Sequence, residues 1–369
     1  MHWEQSNVSR SSLHPICPAG AGVAAYASEA ASSCIGAGPM TVLPRTPPVA
    51  LRELHEPSPY DLIGLLDATR ERLVTGADVA LAVDILSDGL WWMRTSFPAP
   101  RWLETISIAR AHPVSGLLHE DPLIRRAFTK PRGYPGDAPL MDLVYGDITA
   151  VDAHDTSPLG LALLERSVLS PASIAMRECR DFVATLIDHM ADVRSEPSIL
   201  AAACGHLREG MVSQAVQRCR LGRLVALDAD AEALAVVTRE LGSKGVETLN
   251  GNVKVVIEDA LSPCSFDLIF ATGLYEYLPD HFAAPLTTGF INILSPGGRL
   301  IITNPVQNPY DAGYIEAFGD WFKIYRSASE LMDLAAFPGA QDIALQRVYT
   351  RQSPDMLYLE IRKRFSPEL

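Results

Sequence analysis

A run of apolar residues, Ser198-Ile-Leu-Ala-Ala-Ala-Cys-Gly205, ends in a glycine and is followed by His206-Leu-Arg-Glu-Gly210. The polar residues open a helix expected from Glu209 to Arg220. Eighteen residues past Gly205 a second apolar run, Arg223-Leu-Val-Ala-Leu227, ends on Asp228-Ala-Asp230. Strand, glycine turn, helix, strand, acid is the plan of a nucleotide-type binding half. Gly205 lets backbone approach a ligand where a Cβ would collide. Asp228, with Asp230 beside it, stands at the strand tip and can accept hydrogen bonds from both hydroxyls of a ribose. The chemistry predicted is the holding of an adenosine-containing cofactor.

The turn itself says which cofactor. A dinucleotide needs bare backbone against its pyrophosphate at the helix N-terminus. Ala203-Cys204-Gly205-His206-Leu207-Arg208-Glu209 offers one glycine before Gly210, then bulk and a carboxylate. A nicotinamide enzyme is therefore disfavoured. S-adenosylmethionine carries no phosphate, and its ammonium tolerates an acid such as Glu209 nearby.

Other residues stand where an acceptor would meet that cofactor. Gly273-Leu-Tyr-Glu-Tyr277 follows an expected strand at the sheet edge where ligands bind, so Tyr275, Glu276 and Tyr277 are candidates for contact with acceptor or sulfonium. His206 is a candidate general base or a ring packed beside the methionine chain. Lys130-Pro-Arg-Gly-Tyr-Pro-Gly-Asp137 is excluded from helix by its prolines and glycines. It is either a connecting turn or a loop over the cofactor, with Arg132 on an anionic group and Tyr134 lining the methyl site; its arginine and aromatic content favours the loop. Arg326 is a second candidate anion anchor or a salt-bridge partner of Asp320 or Glu316, and Trp321 is expected in the core. The histidines are scattered, the six cysteines show no metal spacing, and no metal is expected. Cys204, Cys219 and Cys264 are read as reduced core thiols.

These residues need elements to hold them. Residues 1–48 are rich in Ala, Ser, Gly and Pro without apolar period, and read as a disordered leader. Residues 49–190 read as a helical cap with a connecting loop. One helix follows Ser58-Pro59, a second runs from Val79 to Trp92, and a third from Trp102 is stopped by His112-Pro113. Two more between Leu161 and Met190 break near Ser170-Pro171. Residues 191–369 alternate, with strands at 198–203, 223–228, 266–271 and 299–304 and helices around 231–241 and 281–293. Pro296-Gly297-Gly298 makes a turn, and a hairpin spans 341–350 and 355–364. An α/β fold follows, a mainly parallel sheet closed by an antiparallel hairpin. Net charge −13 disfavours nucleic acid. No apolar run reaches membrane-spanning length, so a cytoplasmic protein without membrane contact is expected.

In these motifs the chain resembles the class I S-adenosylmethionine-dependent methyltransferases. The resemblance covers 198–305: Ala203-Cys204-Gly205 matches the glycine motif and Asp228 the ribose-binding acid. Asn252-Val253 falls where the adenine is met, Phe266 to Tyr275 with Thr272 and Gly273 is the fourth-strand motif, and Leu294-Ser-Pro-Gly-Gly-Arg-Leu300 the turn into strand five. The chain departs from the pattern at Ala202-Ala203, where an acid is usual. Over 110–330 it is similar to a bacterial subgroup with a helical N-terminal cap, which includes 3-hydroxy fatty acid methyl ester synthases and natural-product methyltransferases. The strings carrying this are Cys-Gly-x-x-Arg-Glu at 204–209, Gly-Leu-Tyr-Glu-Tyr-Leu-Pro-Asp at 273–280, Asp-Trp-x-x-x-Tyr-Arg at 320–326, His119 to Asp137 and Met141 to Tyr145. The resemblance implies a Rossmann-like seven-stranded methyltransferase sheet with an N-terminal helical cap.

The function expected is methyl transfer from S-adenosylmethionine to a small, partly apolar acceptor in secondary metabolism or signal biosynthesis. A carboxylate acceptor would need only an anchor such as Arg132. A carbon, hydroxyl or amine acceptor would need a base, from Glu276, His206 or a tyrosine such as Tyr275 or Tyr134. The alternatives are a fatty acid carboxyl methyltransferase and a non-catalytic cofactor-binding regulator. Homo-oligomerisation is compatible with either.

Overall fold

An Asp61 carboxylate that accepts from Gly64 N starts the first helix, α1 (Leu62–Thr75), and Gly76 in the left-handed conformation ends it. The computed structural model describes residues 61–76, 78–147, 156–258, 261, 265–336 and 340–365. The leader and the Ser58-Pro59 cap expected from sequence lie outside them, as does Cys264. Next come α2 (Val79–Ser96), α3 (Ala99–Ala111), α4 (Val114–Leu118), α5 (Pro122–Thr129), α6 (Ala138–Val144), α7 (Pro158–Val168) and α8 (Pro171–Val193). The last four share one local rule: Asp121, Asp137, Ser157 and Ser170 each accept a backbone N–H as cap, and a proline sits in the first turn. Proline loses nothing there, because that N–H has no helical partner.

The apolar faces of α1 to α7 close on one another around Leu66, Leu86, Leu90, Ile106 and Leu163. This cap core is completed from far along the chain. Helix α14 (Ala312–Phe318) sends Tyr314 and Phe318 into it, followed by Trp321. Glu316 on the same helix accepts from Trp102 Nε1 at 2.7 Å and Arg94 Nε at 2.9 Å. Trp102, 6 % exposed, is thus a core residue. No single helix among the described residues is long and apolar enough to cross a membrane. Helices α7 and α8 together have that length, bent by 57°, but their apolar faces pack on the cap and the sheet.

Beyond α8 the chain runs β1 (Ser198–Ala202), α9 (Arg208–Val212), α10 (Gln214–Gln217), β2 (Arg223–Asp228), α11 (Ala231–Leu241), β3 (Val246–Asn250), α12 (Lys254–Ile257), β4 (Phe266–Ala271), α13 (Asp280–Ile293), β5 (Leu294–Pro305), α14, α15 (Ala328–Asp333), β6 (Ile343–Tyr349) and β7 (Met356–Lys363). The strands form one seven-stranded sheet in the order β3-β2-β1-β4-β5-β7-β6. The first five are parallel, and β7 inserts antiparallel between β5 and β6. This is the Rossmann-like methyltransferase sheet with a helical cap that the motifs imply.

The structure differs from the sequence reading in four details. The helix from Glu209 to Arg220 is two short helices, because Ser213 is extended, donates to Asp188 Oδ1 of α8 at 2.6 Å and caps α10. Strand β3 carries no apolar alternation, since at the sheet edge only Val246 is buried. Cys219 is exposed rather than in the core. Pro296-Gly297-Gly298 lies within β5 as an irregularity between the pairings of Leu294 with Phe266 and of Arg299 with Leu268.

The hairpin is fastened by a buried charge. Glu360 on β7 is fully buried and paired with Arg299, Arg347 and Arg362 at 2.7 Å each. Burial pushes its carboxyl up, and the three guanidiniums outweigh that and hold it at about 2. Its stabilisation is therefore fully present above the ordinary glutamate value of about 4.3 and is lost as pH falls through about 2. Glu360→Gln is expected to cost about 2 kcal/mol at pH 7, less than for a fully buried pair because Arg347 and Arg362 stay half exposed. Urea titration checks it: the gap between the two proteins must narrow as pH drops from 5 towards 2.

Candidate functional site

The sheet order reverses its winding between β1 and β4. Chain connections leave the carboxyl ends of these two neighbours in opposite directions, which opens a crevice. On the β1 side the turn is tightly coiled. Ala203, Gly205 and Leu207 have φ of +54°, +52° and +49°. Left-handed backbone costs a residue with a Cβ about 1–2 kcal/mol, so Ala203 and Leu207 must be held. Cys204 N donates to Leu227 O at 3.2 Å, Leu207 N to Cys204 O at 2.8 Å, and Gly205 N to Asp228 Oδ2 at 2.8 Å. Asp228 Oδ1 accepts from Asp230 N at 2.8 Å, and Asp230 caps α11. Burial pushes the Asp228 carboxyl up, opposed by these backbone donors. At the β3 end Asn252 Oδ1 accepts from Lys254 N, and Val253 beside it is buried.

Two side chains from the turn point inward. Glu209 is 4 % exposed, and its Oε1 accepts from Thr272 Oγ1 at the tip of β4, 3.2 Å away, so it bridges the crevice. Among the described residues none forms an ion pair with it, and burial raises its carboxyl. His206 Nδ1 lies 2.7 Å from Asp142 Oδ2 on α6, whose carboxylate is also gripped by Arg208 Nε and Nη2 at 2.6 and 2.8 Å. Burial opposes ionisation of Asp142, but Arg208 and His206 outweigh it and hold its carboxyl below the usual range. Nδ1 is accordingly assigned as the donor to Asp142, and Nε2 is buried without a partner among the described residues.

On the β4 side Gly273 N donates to Thr303 Oγ1 at 3.4 Å, and a short 3₁₀ turn carries residues 275–277. Glu276 is 2 % exposed; Lys323 Nζ lies 3.4 Å from its Oε1, while Oε2 is buried and unpartnered. Tyr277 OH accepts from Trp321 Nε1 at 2.6 Å. Tyr275 turns away: its hydroxyl pairs with Thr287 of α13 at 2.8 Å inside the core. Arg326, only 2 % exposed, is taken up by Asp280 Oδ1, Asn304 Oδ1 and the carbonyls of Tyr275 and Leu278. The expectation of an anion anchor does not fit that geometry; Arg326 clamps the 275–278 turn.

Residues 130–137 form a roof over the crevice. Arg132 donates to Asp230 at 2.6 Å and pairs with Glu232 at 3.0 Å, Lys130 pairs with Asp320, and Arg126 binds Asp137 through two hydrogen bonds. Burial first, then the Asp228 and Asp230 carboxylates, push the Tyr134 hydroxyl up and keep it protonated. At the other end Gly136 (φ +74°) lies so close that a Cβ would stand 2.6 Å from Trp321 Cζ2 and 3.0 Å from Tyr277 OH.

The fold thus gathers Ala203, Cys204, Gly205, His206, Glu209, Asp228, Asp230, Thr272, Gly273, Glu276, Tyr277 and the Arg132–Tyr134 loop around one crevice. Asn252 and Val253 stand at its β3 end. Asp142 and Lys323 belong with them and were not singled out from the sequence. Asp142 sits in the Met141 to Tyr145 string, but nothing local marks its pairing with a residue 64 positions away.

No family model and no curated protein matches the chain. Among solved structures it is similar to a possible exported protein from Bordetella parapertussis, at 18 % identity and a TM-score of 0.54, over 82 % of this chain and 96 % of that one. It is also similar to magnesium protoporphyrin IX methyltransferase from Synechocystis with bound S-adenosylmethionine (11 % identity, TM-score 0.37, 52 % and 82 % covered). A third is the methyltransferase CalH in complex with S-adenosylhomocysteine (12 %, 0.41, 61 % and 68 %). The likeness is one of fold.

Gly136→Ala is expected to lift the roof, because neither the left-handed backbone nor the Trp321 ring leaves room for a methyl group. Trypsin cleavage after Arg132 should accelerate at least tenfold while the urea midpoint of the sheet moves little. An unchanged cleavage rate would show that the close approach does not hold the loop.

Proposed function

We propose that this protein is an S-adenosylmethionine-dependent methyltransferase acting on a small, partly apolar acceptor that enters under the 130–137 roof. The observation that carries the reading is Glu209, a buried carboxylate at the β1–β4 crevice that forms no ion pair among the described residues, on a chain whose first strand ends in alanines. A buried acid of this kind calls for a positive partner, and the methionine ammonium is one. His206 Nε2, oriented by Asp142, supplies a second acceptor for its N–H groups.

The strand order supports a cofactor laid along the sheet edge. Adenine is assigned to Asn252 and Val253 at β3, ribose to Asp228 at β2, and methionine to the 203–209 turn at β1. Strands about 4.8 Å apart make these steps roughly 14 Å up to β4. Thr272 and Gly273 then mark the end where the methyl group emerges, facing Glu276 and Tyr277. When bound, S-adenosylmethionine supplies the methyl as an electrophile on a positive sulfur. The protein's own part is positioning and water exclusion. Asp228 and the turn hold the nucleoside, Tyr134 and Tyr277 offer aromatic faces to the positive charge, and the roof seals the crevice. Arg132, expected to anchor an acceptor anion, is assigned instead to latching the roof onto Asp230 and Glu232.

Calorimetry checks the reading. S-adenosylmethionine should bind with micromolar Kd, and Asp228→Ala should weaken it by about tenfold or more through lost ribose hydrogen bonds. Glu209→Gln should weaken it similarly while leaving 5′-methylthioadenosine, which lacks the ammonium, unaffected. Without cofactor the sign reverses: burial raises Glu209 above its unfolded value, so its contribution to stability falls as pH rises. The Glu209→Gln protein should therefore melt at the same temperature as wild type or higher at pH 7. Absence of micromolar binding sinks the cofactor; equal losses for both ligands sink the role of Glu209.

A further inference from the structure

The β4 side of the crevice carries chemistry that cofactor binding does not use. Glu276 Oε2 is buried with nothing donating to it, and Oε1 has only the 3.4 Å contact with Lys323. An unpartnered buried acceptor is costly unless a ligand brings a donor. The cations around the crevice are already engaged. Arg132 is held by Asp230 and Glu232, Arg326 by Asp280 and three further acceptors, and Arg180 by Asp181 while lying over the Tyr145 ring. Lys323 lies between Glu276 and the face of Trp321, 4.4 Å from the ring centroid. Among the described residues the crevice therefore presents carboxylates, from Glu209, Asp228 and Glu276, and no unengaged guanidinium.

A carboxylate acceptor fits this badly. It brings no proton for Glu276 Oε2 and adds a negative charge beside those already buried. A neutral hydroxyl fits both requirements, since it donates one hydrogen bond and adds no charge. The walls indicate which kind of hydroxyl. Tyr277 and Trp321 are joined by their hydrogen bond, and the roof meets both at Gly136, two residues from Tyr134. Aromatic side chains beside a carboxylate suit an aromatic ring bearing the hydroxyl.

Resting on the methyltransferase reading, we propose that the acceptor is a neutral phenol-type hydroxyl compound and that Glu276 is the catalytic residue that takes its proton. The acceptor oxygen uses a lone pair to form the new O–C bond with the methyl. The S–C bond breaks, its electron pair stays on sulfur as a neutral thioether, and the O–H proton passes to Glu276 Oε2. Lys323 and Arg326 act as positioning residues, the first beside the Glu276 carboxylate and the second through the 275–278 turn.

The test uses the full chain and a matched pair of probes, 4-hexylphenol and heptanoate, in two readouts. In calorimetry without cofactor, the phenol should bind at least tenfold tighter than heptanoate at pH 7.5, and Glu276→Gln should remove most of that preference. In transfer of a labelled methyl group from S-adenosylmethionine, the phenol should be converted to its ether and heptanoate left unesterified. Glu276→Gln should lower kcat about a hundredfold, as for loss of a general base, with cofactor affinity unchanged. 2,6-Difluoro-4-hexylphenol, whose hydroxyl is substantially ionised at that pH where that of 4-hexylphenol is not, should recover at least tenfold of the loss, which a merely structural role would not permit. Heptanoate bound or methylated as well as the phenol overturns the proposal. So does a phenol that is neither bound nor methylated while cofactor binding is normal, or a Glu276→Gln defect equal for both phenols. Failure of wild type to bind S-adenosylmethionine instead removes the underlying reading, and the calorimetric comparison of the probes still decides the acceptor class.

Discussion

The structure depends on one topological constraint, the reversal of winding between β1 and β4. A parallel sheet can place helices on both faces only if some adjacent pair of strands sends its connections apart. At that pair no crossover covers the carboxyl ends, and a crevice remains. Everything with chemical potential in this chain converges there: the left-handed turn after β1, Asp228 at the end of β2, and the short turn after β4. Glu209 spans the gap to Thr272, so the two sides are already in contact through a hydrogen bond.

What closes the crevice comes from elsewhere in the chain. The roof belongs to the N-terminal helical part, yet it is tied to β2 through Arg132 and to the β4 side through Gly136 against Trp321. Trp321 in turn follows α14, whose Tyr314 and Phe318 complete the cap core. Cap and sheet thus share a core through α14, and the cap cannot shift far without disturbing the residues beside Glu276. Arg326 holds the same region from within: one buried guanidinium satisfies the carbonyls of the turn that carries Glu276. Several charges are buried here: Asp142, Glu276 and Arg326 are met by partners of opposite sign, whereas Glu209 and Asp228 are met by neutral donors. That is why a ligand bringing donors and a positive charge is called for.

Much of this was legible in the sequence, and the parts that were not have physical reasons. Strands β1, β2 and β4 are buried on both faces and read as short apolar runs, β5 and the β7 hairpin by their apolar pattern and turns. The helices beginning at Pro158 and Pro171 announce themselves by a hydroxyl cap followed by proline. Strand β3 escaped because an edge strand with one buried residue carries no periodic signal. The break at Ser213 escaped because it is dictated by Asp188 on another helix. Ala203 and Leu207 gave no sign of left-handed backbone, since residues with a Cβ adopt it only when tertiary hydrogen bonds hold them there.

The candidate residues divide in the same way. Position along the chain was enough to place Gly205, Asp228, Thr272 and Glu276 at strand ends, and strand ends on one edge of a parallel sheet must lie together. Whether a charged side chain at such a position is free or engaged depends on partners tens to hundreds of residues away, which no local pattern encodes. Arg132 and Arg326 looked like anchors for an anion and are ion-paired; His206 read as a base or a packed ring and is oriented by Asp142; Lys323 carried no signal and stands beside Glu276. The sequence by itself determined the sheet, its binding edge and the residue types along it, because hydrophobic period and turn chemistry are local. Only the tertiary structure decided which of those charges remain unpartnered in the crevice, because burial and ion pairing are properties of residues brought together from distant parts of the chain.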